Sequence, residues 1–112
     1  MSLVDKLRKA RESIVEVDGH QYTIRRPTEA EQAELFGNNK ITGIAMVRLF
    51  VVDWDLNEID LIPGGNPTPV PFNAELWSEY VNDKPELWNP ISSAIVDSIV
   101  QHREKVEGAV KK

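Results

Sequence analysis

The sequence predicts an α+β fold, in which a β-hairpin over about residues 13–26 is followed by a mainly helical bundle. An Asp-Gly dipeptide between two runs of β-forming residues predicts the hairpin. Polar capping residues ahead of apolar segments predict the helices. A stretch rich in proline and glycine, at about 55–72, predicts an irregular loop within the bundle.

Composition favours a single domain over residues 1–112. The chain has 112 residues, of which 41% are hydrophobic and 28% are charged, and this matches a domain of ordinary size. It contains no cysteine, which excludes disulfides and thiolate chemistry. Its first residues lack the apolar run of a signal peptide, and no stretch approaches the roughly 18 apolar residues of a membrane span. We therefore expect a soluble, intracellular protein with no membrane partner.

The net charge of −5 is concentrated in the middle of the chain. Residues 53–97 carry nine acidic side chains and one basic side chain, Lys84. Nucleic-acid binding needs clustered lysine and arginine, so we expect no nucleic-acid partner. The acidic field favours a basic or amphipathic protein partner, although the same charges would also serve to keep a small protein soluble.

A short helix is expected ahead of the hairpin. Ser2 is a good N-cap for a helix over Leu3–Arg11, whose thin apolar stripe consists of Leu3, Val4 and Leu7. Because the stripe is thin, we expect residues 1–12 to be loosely docked.

The hairpin register follows from its turn. Asp18-Gly19 is typical of a type I′ turn, which needs positive φ at both central positions. The resulting pairing places four apolar residues on one face, namely Val15, Val17, Tyr22 and Ile24. Glu12 then lies opposite Arg25 on a mainly polar face, where Ile14 is the apolar exception.

The bundle is expected to begin after Pro27. Thr28 and Glu31 form a capping box, which predicts a helix from Glu29 to near Gly37. The apolar run 41–52 is compatible with a buried strand or a buried helix, and its length favours the helix.

A capped helix is expected after the loop. Asn73 is its N-cap, and Phe72 and Trp77 occupy the positions of a hydrophobic staple. Its apolar face comprises Leu76, Trp77, Tyr80 and Val81.

The last helix is predicted to start at Pro90, with Asn89 as its N-cap. A second capping box, from Asp83 to Glu86 around Pro85, would precede it. A wide apolar arc follows, comprising Ile91, Ile95 and Ile99 with Val96 and Val100 beside them. The tail at 104–112 is polar and is expected to fray.

Metal and cofactor sites are not expected. Asp53, Asp55 and Asn57 imitate the start of a calcium loop, but Glu58 stands where glycine is needed and Gly64 where a bidentate glutamate is needed. The two histidines, His20 and His102, lack the partners of a zinc site and are interpreted as surface residues.

Catalysis is also not expected. Ser92, Ser93, Asp97 and His102 supply the residue types of a hydrolase triad, but neither serine stands in a Gly-x-Ser-x-Gly elbow. No phosphate-binding loop is present either. The protein is therefore predicted to be a non-enzyme, and a small hydrolase is the least favoured class.

Four segments, in their order along the chain, resemble those of the tail assembly chaperones of long-tailed, siphovirus-like bacteriophages and prophages: YTIRRPTEAE, VVDWD, DLIPGGNPTPVPF and NAELWSEYVNDKPELWNPISSAIVDSIVQH. The resemblance covers roughly residues 14–102 and lies in the order and spacing of these segments. It implies a non-catalytic protein that acts in the bacterial host cytoplasm during virion assembly and is absent from the mature virion.

The implied partners are the tape-measure protein, which such chaperones keep soluble, and the tail-tube protein, which they help to recruit. No cofactor is implied. The main alternative is a structural connector or minor tail component of the virion.

Aromatic residues are the candidate protein-binding residues, because covering a helical client calls for a groove with aromatic or aliphatic walls. The candidates are Trp54, Phe72, Trp77, Tyr80 and Trp88. The alternative is that these rings fill the core; Trp77 and Trp88, which flank the proline break, are expected to be partly exposed. The apolar arc of the last helix is a second candidate contact, with the client or with another copy of the chain.

Overall fold

The computed structural model describes residues 2–37 and 41–110 and has the predicted α+β fold. The first helix, α1, spans Leu3–Lys9 and ends two residues earlier than predicted. Ser2 caps it, because the Ser2 hydroxyl accepts a hydrogen bond from the Asp5 backbone N–H. Residues 2–10 are all exposed, which agrees with the expected loose docking.

The hairpin consists of β1 (Glu12–Val17) and β2 (His20–Arg25), and its register is the predicted one. Asp18 and Gly19 have φ values of 52° and 81°, as a type I′ turn requires. The predicted apolar face lies on the core, since Val17, Tyr22 and Ile24 are buried there.

The helix α2 spans Glu29–Phe36 and begins at the predicted capping box. The Thr28 hydroxyl accepts from the Glu31 N–H at 3.1 Å, and the Glu31 carboxylate accepts from the Thr28 N–H at 2.9 Å. Each side chain thereby satisfies a backbone donor that a helix end leaves free.

The prediction of one helix over 41–52 is wrong at its C-terminal end. The helix α3 covers Gly43–Phe50, and the following residues form a third strand, β3 (Val51–Trp54). β3 pairs antiparallel with β2, so the sheet order is β1-β2-β3. The physical reason is that a two-stranded hairpin is barely stable alone, and β-branched residues such as Val51 and Val52 suit the free edge of β2.

The predicted loop contains one turn of helix, α4 (Glu58–Leu61), and folds back on itself. Asn57 and Pro69 form an isolated antiparallel bridge, and the Val70 N–H donates to the Leu56 carbonyl at 3.0 Å. This closure places Leu56 in the core.

The helix α5 spans Ala74–Asn82 and starts at the predicted cap, where the Asn73 side chain accepts from the Leu76 N–H at 2.9 Å. It ends at Asp83, which is its C-cap. The predicted second capping box around Asp83 is therefore wrong.

The helix α6 spans Pro85–Val110, so the predicted start at Pro90 is also wrong. Its first turn packs against the fold, because Leu87 is buried in the core. Pro90 lacks a backbone N–H, so the helix loses one hydrogen bond there. Packing of the buried residues Leu87 and Ile91, on either side of Pro90, holds the helix in place. α6 remains helical to Val110, and the part of the predicted frayed tail at 111–112 lies outside the described residues.

One continuous core joins the sheet to the helices, and α6 packs against α3, α5 and the hairpin. Its fully buried large side chains come from β2, α3, α5, α6 and the connection between β3 and α4: Tyr22, Ile24, Val47, Phe50, Leu56, Trp77, Val81, Ile91 and Ile95.

Candidate interaction surface

The three tryptophans each tie two parts of the fold together. The indole N–H of Trp54 donates to the Val70 carbonyl at 2.7 Å, which closes the loop onto β3. That of Trp77 donates to a carbonyl of α3, and that of Trp88 donates to a carbonyl of α5, at 3.0 and 2.7 Å. A buried indole needs such an acceptor, so these residues act as structural anchors.

The expectation that Trp77 is partly exposed is wrong, because its exposed fraction is 0%. Its ring centroid lies 5.4 Å from that of Tyr22 and 6.1 Å from that of Trp54. Trp54 is also buried and meets Phe72 edge-on at 5.0 Å. Trp54 and Trp77 therefore belong to the core, the alternative that the sequence left open.

Phe72, Tyr80 and Trp88 are half-buried and lie around this cluster. Burial raises the pKa of Tyr80, and the nearby carboxylate of Asp60 adds to the effect. The phenol is therefore neutral at physiological pH and can serve as a hydrogen-bond donor. These three residues remain candidates for contact with a partner.

His20 joins the hairpin turn to α4. Its Nδ1 lies 3.3 Å from Asp55 Oδ1, and its Nε2 lies 3.4 Å from Asp60 Oδ1. The Gln21 backbone N–H donates to the same Asp55 oxygen at 3.0 Å. No signal in the sequence links residue 20 to residues 55 and 60, because the contact arises only when β3 pairs with β2.

An apolar groove lies between α3 and α6. It has a volume of about 250 Å³ and is lined by Gly43, Met46, Ser92, Ser93, Val96 and Asp97. Val96 is 43% exposed, and Val100, one turn further along α6, is also exposed. On α3, Leu49 is exposed one turn beyond Met46. We call this surface the α3–α6 groove.

The apolar arc predicted for the last helix has a buried side and an exposed side. Ile91, Ile95 and Ile99 are buried in the core, whereas Val96 and Val100 face outward. The inner side packs in the core, and the outer side is exposed.

The residue types of a hydrolase triad are not brought together. Ser92, Ser93 and Asp97 line the α3–α6 groove, whereas His102 lines a separate cleft with Arg26 at the end of the hairpin. Among residues 2–37 and 41–110, no three histidine, aspartate or glutamate side chains are grouped to hold a metal ion. Within the same residues, no helix is both long enough and apolar enough to cross a bilayer.

Comparison of the chain with protein-family models, with curated proteins and with solved structures gives no match.

Proposed function

We propose that this protein is a non-catalytic tail assembly chaperone of a long-tailed phage or prophage. In this role it binds the tape-measure protein in the host cytoplasm, helps to recruit tail-tube subunits, and is absent from the mature virion. We propose this family because the order of the sequence motifs resembles that of tail assembly chaperones. The observation that carries the binding role is the α3–α6 groove, an apolar surface that the fold leaves open.

The shape of the groove suits an amphipathic helix. Its walls are two helices, and apolar residues recur on them at one-turn spacing: exposed Val96 and Val100 on α6, and buried Met46 followed by exposed Leu49 on α3. An amphipathic helix binds such a groove through residues at positions i, i+3, i+4 and i+7. Each client leucine fully buried there would stabilise the complex by about 1.5 to 3 kcal/mol.

The charge around the groove favours a client with basic residues beside its apolar stripe. Asp97 lines the groove, and nine of the 18 acidic residues lie between 53 and 97. Opposite charges at the rim of a contact speed association and improve specificity more than they raise affinity. Phe72, Tyr80 and Trp88 remain the proposed aromatic contacts for the same client.

Co-expression with the tape-measure protein of the same genome tests the proposal. The wild type should keep the client soluble and copurify with it, whereas Val96→Glu should reduce the copurified client about tenfold or more. The matched control is Val106→Glu, because Val106 is 48% exposed on the same helix but does not line the groove. Both variants place glutamate on a helix surface, so both should fold.

Two results would overturn the proposal. The first is a client that is equally soluble with and without this chain and does not copurify. The second is equal loss of binding in Val96→Glu and Val106→Glu. Mass spectrometry of purified virions separates the chaperone from a structural connector, since only a connector is retained in the particle.

A further inference from the structure

The helix α1 has an apolar face that its own chain does not cover. Leu3 is 76% exposed, Val4 is 54% exposed and Leu7 is 60% exposed, and no residue of this helix is buried. An isolated helix of seven residues is not stable in water, so packing against a partner is needed to hold it. The stripe is therefore an unpartnered contact surface.

Part of the polar side of α1 faces its own chain. Arg8 and Arg11 line a cleft of about 390 Å³ with Arg25 and Glu31. Residues 2–11 carry four basic side chains and one acidic one, so α1 is a basic segment of an acidic protein. A surface that matches it must combine exposed apolar side chains with carboxylates.

The α4 segment has this combination. Ile59 is 49% exposed and Ile62 is 59% exposed, and they lie three residues apart. Glu58 and Asp60 flank Ile59 on α4, and exposed Asp55 precedes them. We call this surface, made of Ile59, Ile62 and the three carboxylates, the α4 ridge.

The two surfaces lie at opposite ends of the hairpin. Arg11 connects α1 to β1 at the open end of the hairpin, where its carbonyl accepts a hydrogen bond from the Arg26 N–H at 2.8 Å. The ridge lies at the turn end, where Asp60 contacts His20. A strand rises about 3.3 Å per residue, so the six residues of β1 separate the two ends by about 20 Å. A helix rises about 1.5 Å per residue, so Leu7 and Leu3 lie only about 6 and 12 Å from Arg11. α1 is therefore too short to cover the ridge of its own chain.

We infer that α1 of one copy docks on the α4 ridge of a second copy. The apolar stripe covers Ile59 and Ile62, and Lys6 and Lys9, the basic side chains of α1 that do not line the cleft, lie against the ridge carboxylates. Because the two surfaces differ, the contact is head to tail, and a pair of copies keeps one free α1 and one free ridge in total. The interface is small, so the association is weak and is seen at high protein concentration. It uses residues outside the α3–α6 groove and does not depend on the client.

Light scattering after size exclusion, over a wide range of protein concentration, tests this inference. The wild type should form dimers and larger species as concentration rises. Leu7→Glu, in the stripe, and Ile59→Glu, in the ridge, should each weaken association about tenfold or more. Val106→Glu is the matched control and should behave as the wild type does. All three positions are exposed, and circular dichroism would verify that each variant folds.

A mixing experiment gives a more specific result. Leu7→Glu keeps an intact ridge and Ile59→Glu keeps an intact α1, so an equimolar mixture should form a one-to-one dimer and nothing larger. Association should also weaken as salt is added, because charges on both sides contribute.

Three results would overturn the inference. One is a wild type that stays monomeric at every concentration, and another is a mixture that stays monomeric while the wild type associates. The third is a wild type that stays monomeric and floats with anionic lipid vesicles, together with a Leu7→Glu variant that does not float. That result would show that the stripe binds a membrane surface.

Discussion

Single residues show how an irregular segment is held in this fold. Each tryptophan combines a buried ring with an indole N–H that reaches a backbone carbonyl in another part of the chain. Arg25, the last residue of β2, also connects separate elements. Its guanidinium donates to both carboxylate oxygens of Glu31 in α2 at 2.7 Å and lies 4.8 Å from the centre of the Phe50 ring in α3. Specific polar contacts of this kind position elements that apolar packing alone would leave free to shift.

Trp77→Ala should lower the free energy of unfolding by about 3 to 5 kcal/mol, since it removes a fully buried indole from the centre of the aromatic cluster. Trp77→Phe should cost less, because the ring is kept and mainly the hydrogen bond to the Val47 carbonyl is lost. Denaturant unfolding measures both. A loss below about 1 kcal/mol for Trp77→Ala would contradict the structural role.

The Arg25–Glu31 pair predicts a pH dependence. The hydrogen bonds from Arg25, assisted by the Thr28 backbone N–H, lower the pKa of Glu31 from 4.5 to about 2. A carboxylate with a depressed pKa stabilises the fold above its unfolded pKa, and this contribution is lost as pH falls from about 4.5 to about 2. Glu31→Gln should therefore cost about 1 to 2 kcal/mol at neutral pH, and the difference from the wild type should shrink across that range.

Unfolding free energies measured from neutral to acid pH check this prediction. Glu29→Gln is the control, because Glu29 is exposed in the same first turn of α2 and should matter little. A Glu31→Gln deficit that does not change with pH would show that shape, and not charge, is what the site requires.

Among the helices and strands, those that begin at a local capping residue agree best with the sequence-based prediction. Thr28 and Asn73 cap α2 and α5 as predicted, because a cap needs only a side chain and a backbone N–H three residues away. β3 was missed because it depends on a distant partner, the free edge of β2. The first turn of α6 was missed because it is held by packing against α5, as in the hydrogen bond from Trp88 to Val81, and not by a cap of its own. Gln32 shows the same limit, since this buried side chain joins the Pro27 carbonyl to Arg103, 71 residues away.

The closure of the loop on α4 predicts a sensitive glycine. A Cβ at Gly65 would lie 2.9 Å from the carbonyl oxygen of Glu58. The backbone of Glu58 is itself fixed, because its N–H donates to the Thr68 carbonyl. Gly65→Ala should therefore cost about 1 to 3 kcal/mol, since the loop must shift away from α4. Thermal and denaturant unfolding measure the change.

Gly108→Ala is the matched control for this substitution. Gly108 lies in α6, and a Cβ there meets nothing within 4 Å. Alanine favours a helix over glycine by up to about 1 kcal/mol, so the control should be neutral or stabilising. Equal effects of the two substitutions would show that the contact with Glu58 is not restrictive.

At the scale of the whole molecule, the chain is elongated, with extents of 55 × 35 × 23 Å. Its radius of gyration is 15.6 Å, whereas a compact chain of this length has about 13 Å. Both the long helix α6 and the projecting α1 contribute to this shape. An elongated molecule separates its surfaces, so the proposed client contact at the α3–α6 groove and the proposed contact between α1 and the α4 ridge do not overlap.

Local chemistry in the chain was sufficient to predict the hairpin register, the caps of α1, α2 and α5, and the alignment of Ile91, Ile95 and Ile99 along one side of α6, because these depend on neighbours within a few residues. Exposure was not predictable in this way. Trp77 and Val96 are both apolar residues on amphipathic helices, yet one is buried and the other faces solvent. Which face of a helix is covered depends on how the elements pack, so only the tertiary contacts decide that Trp54 and Trp77 are buried while the outer side of α6 is open.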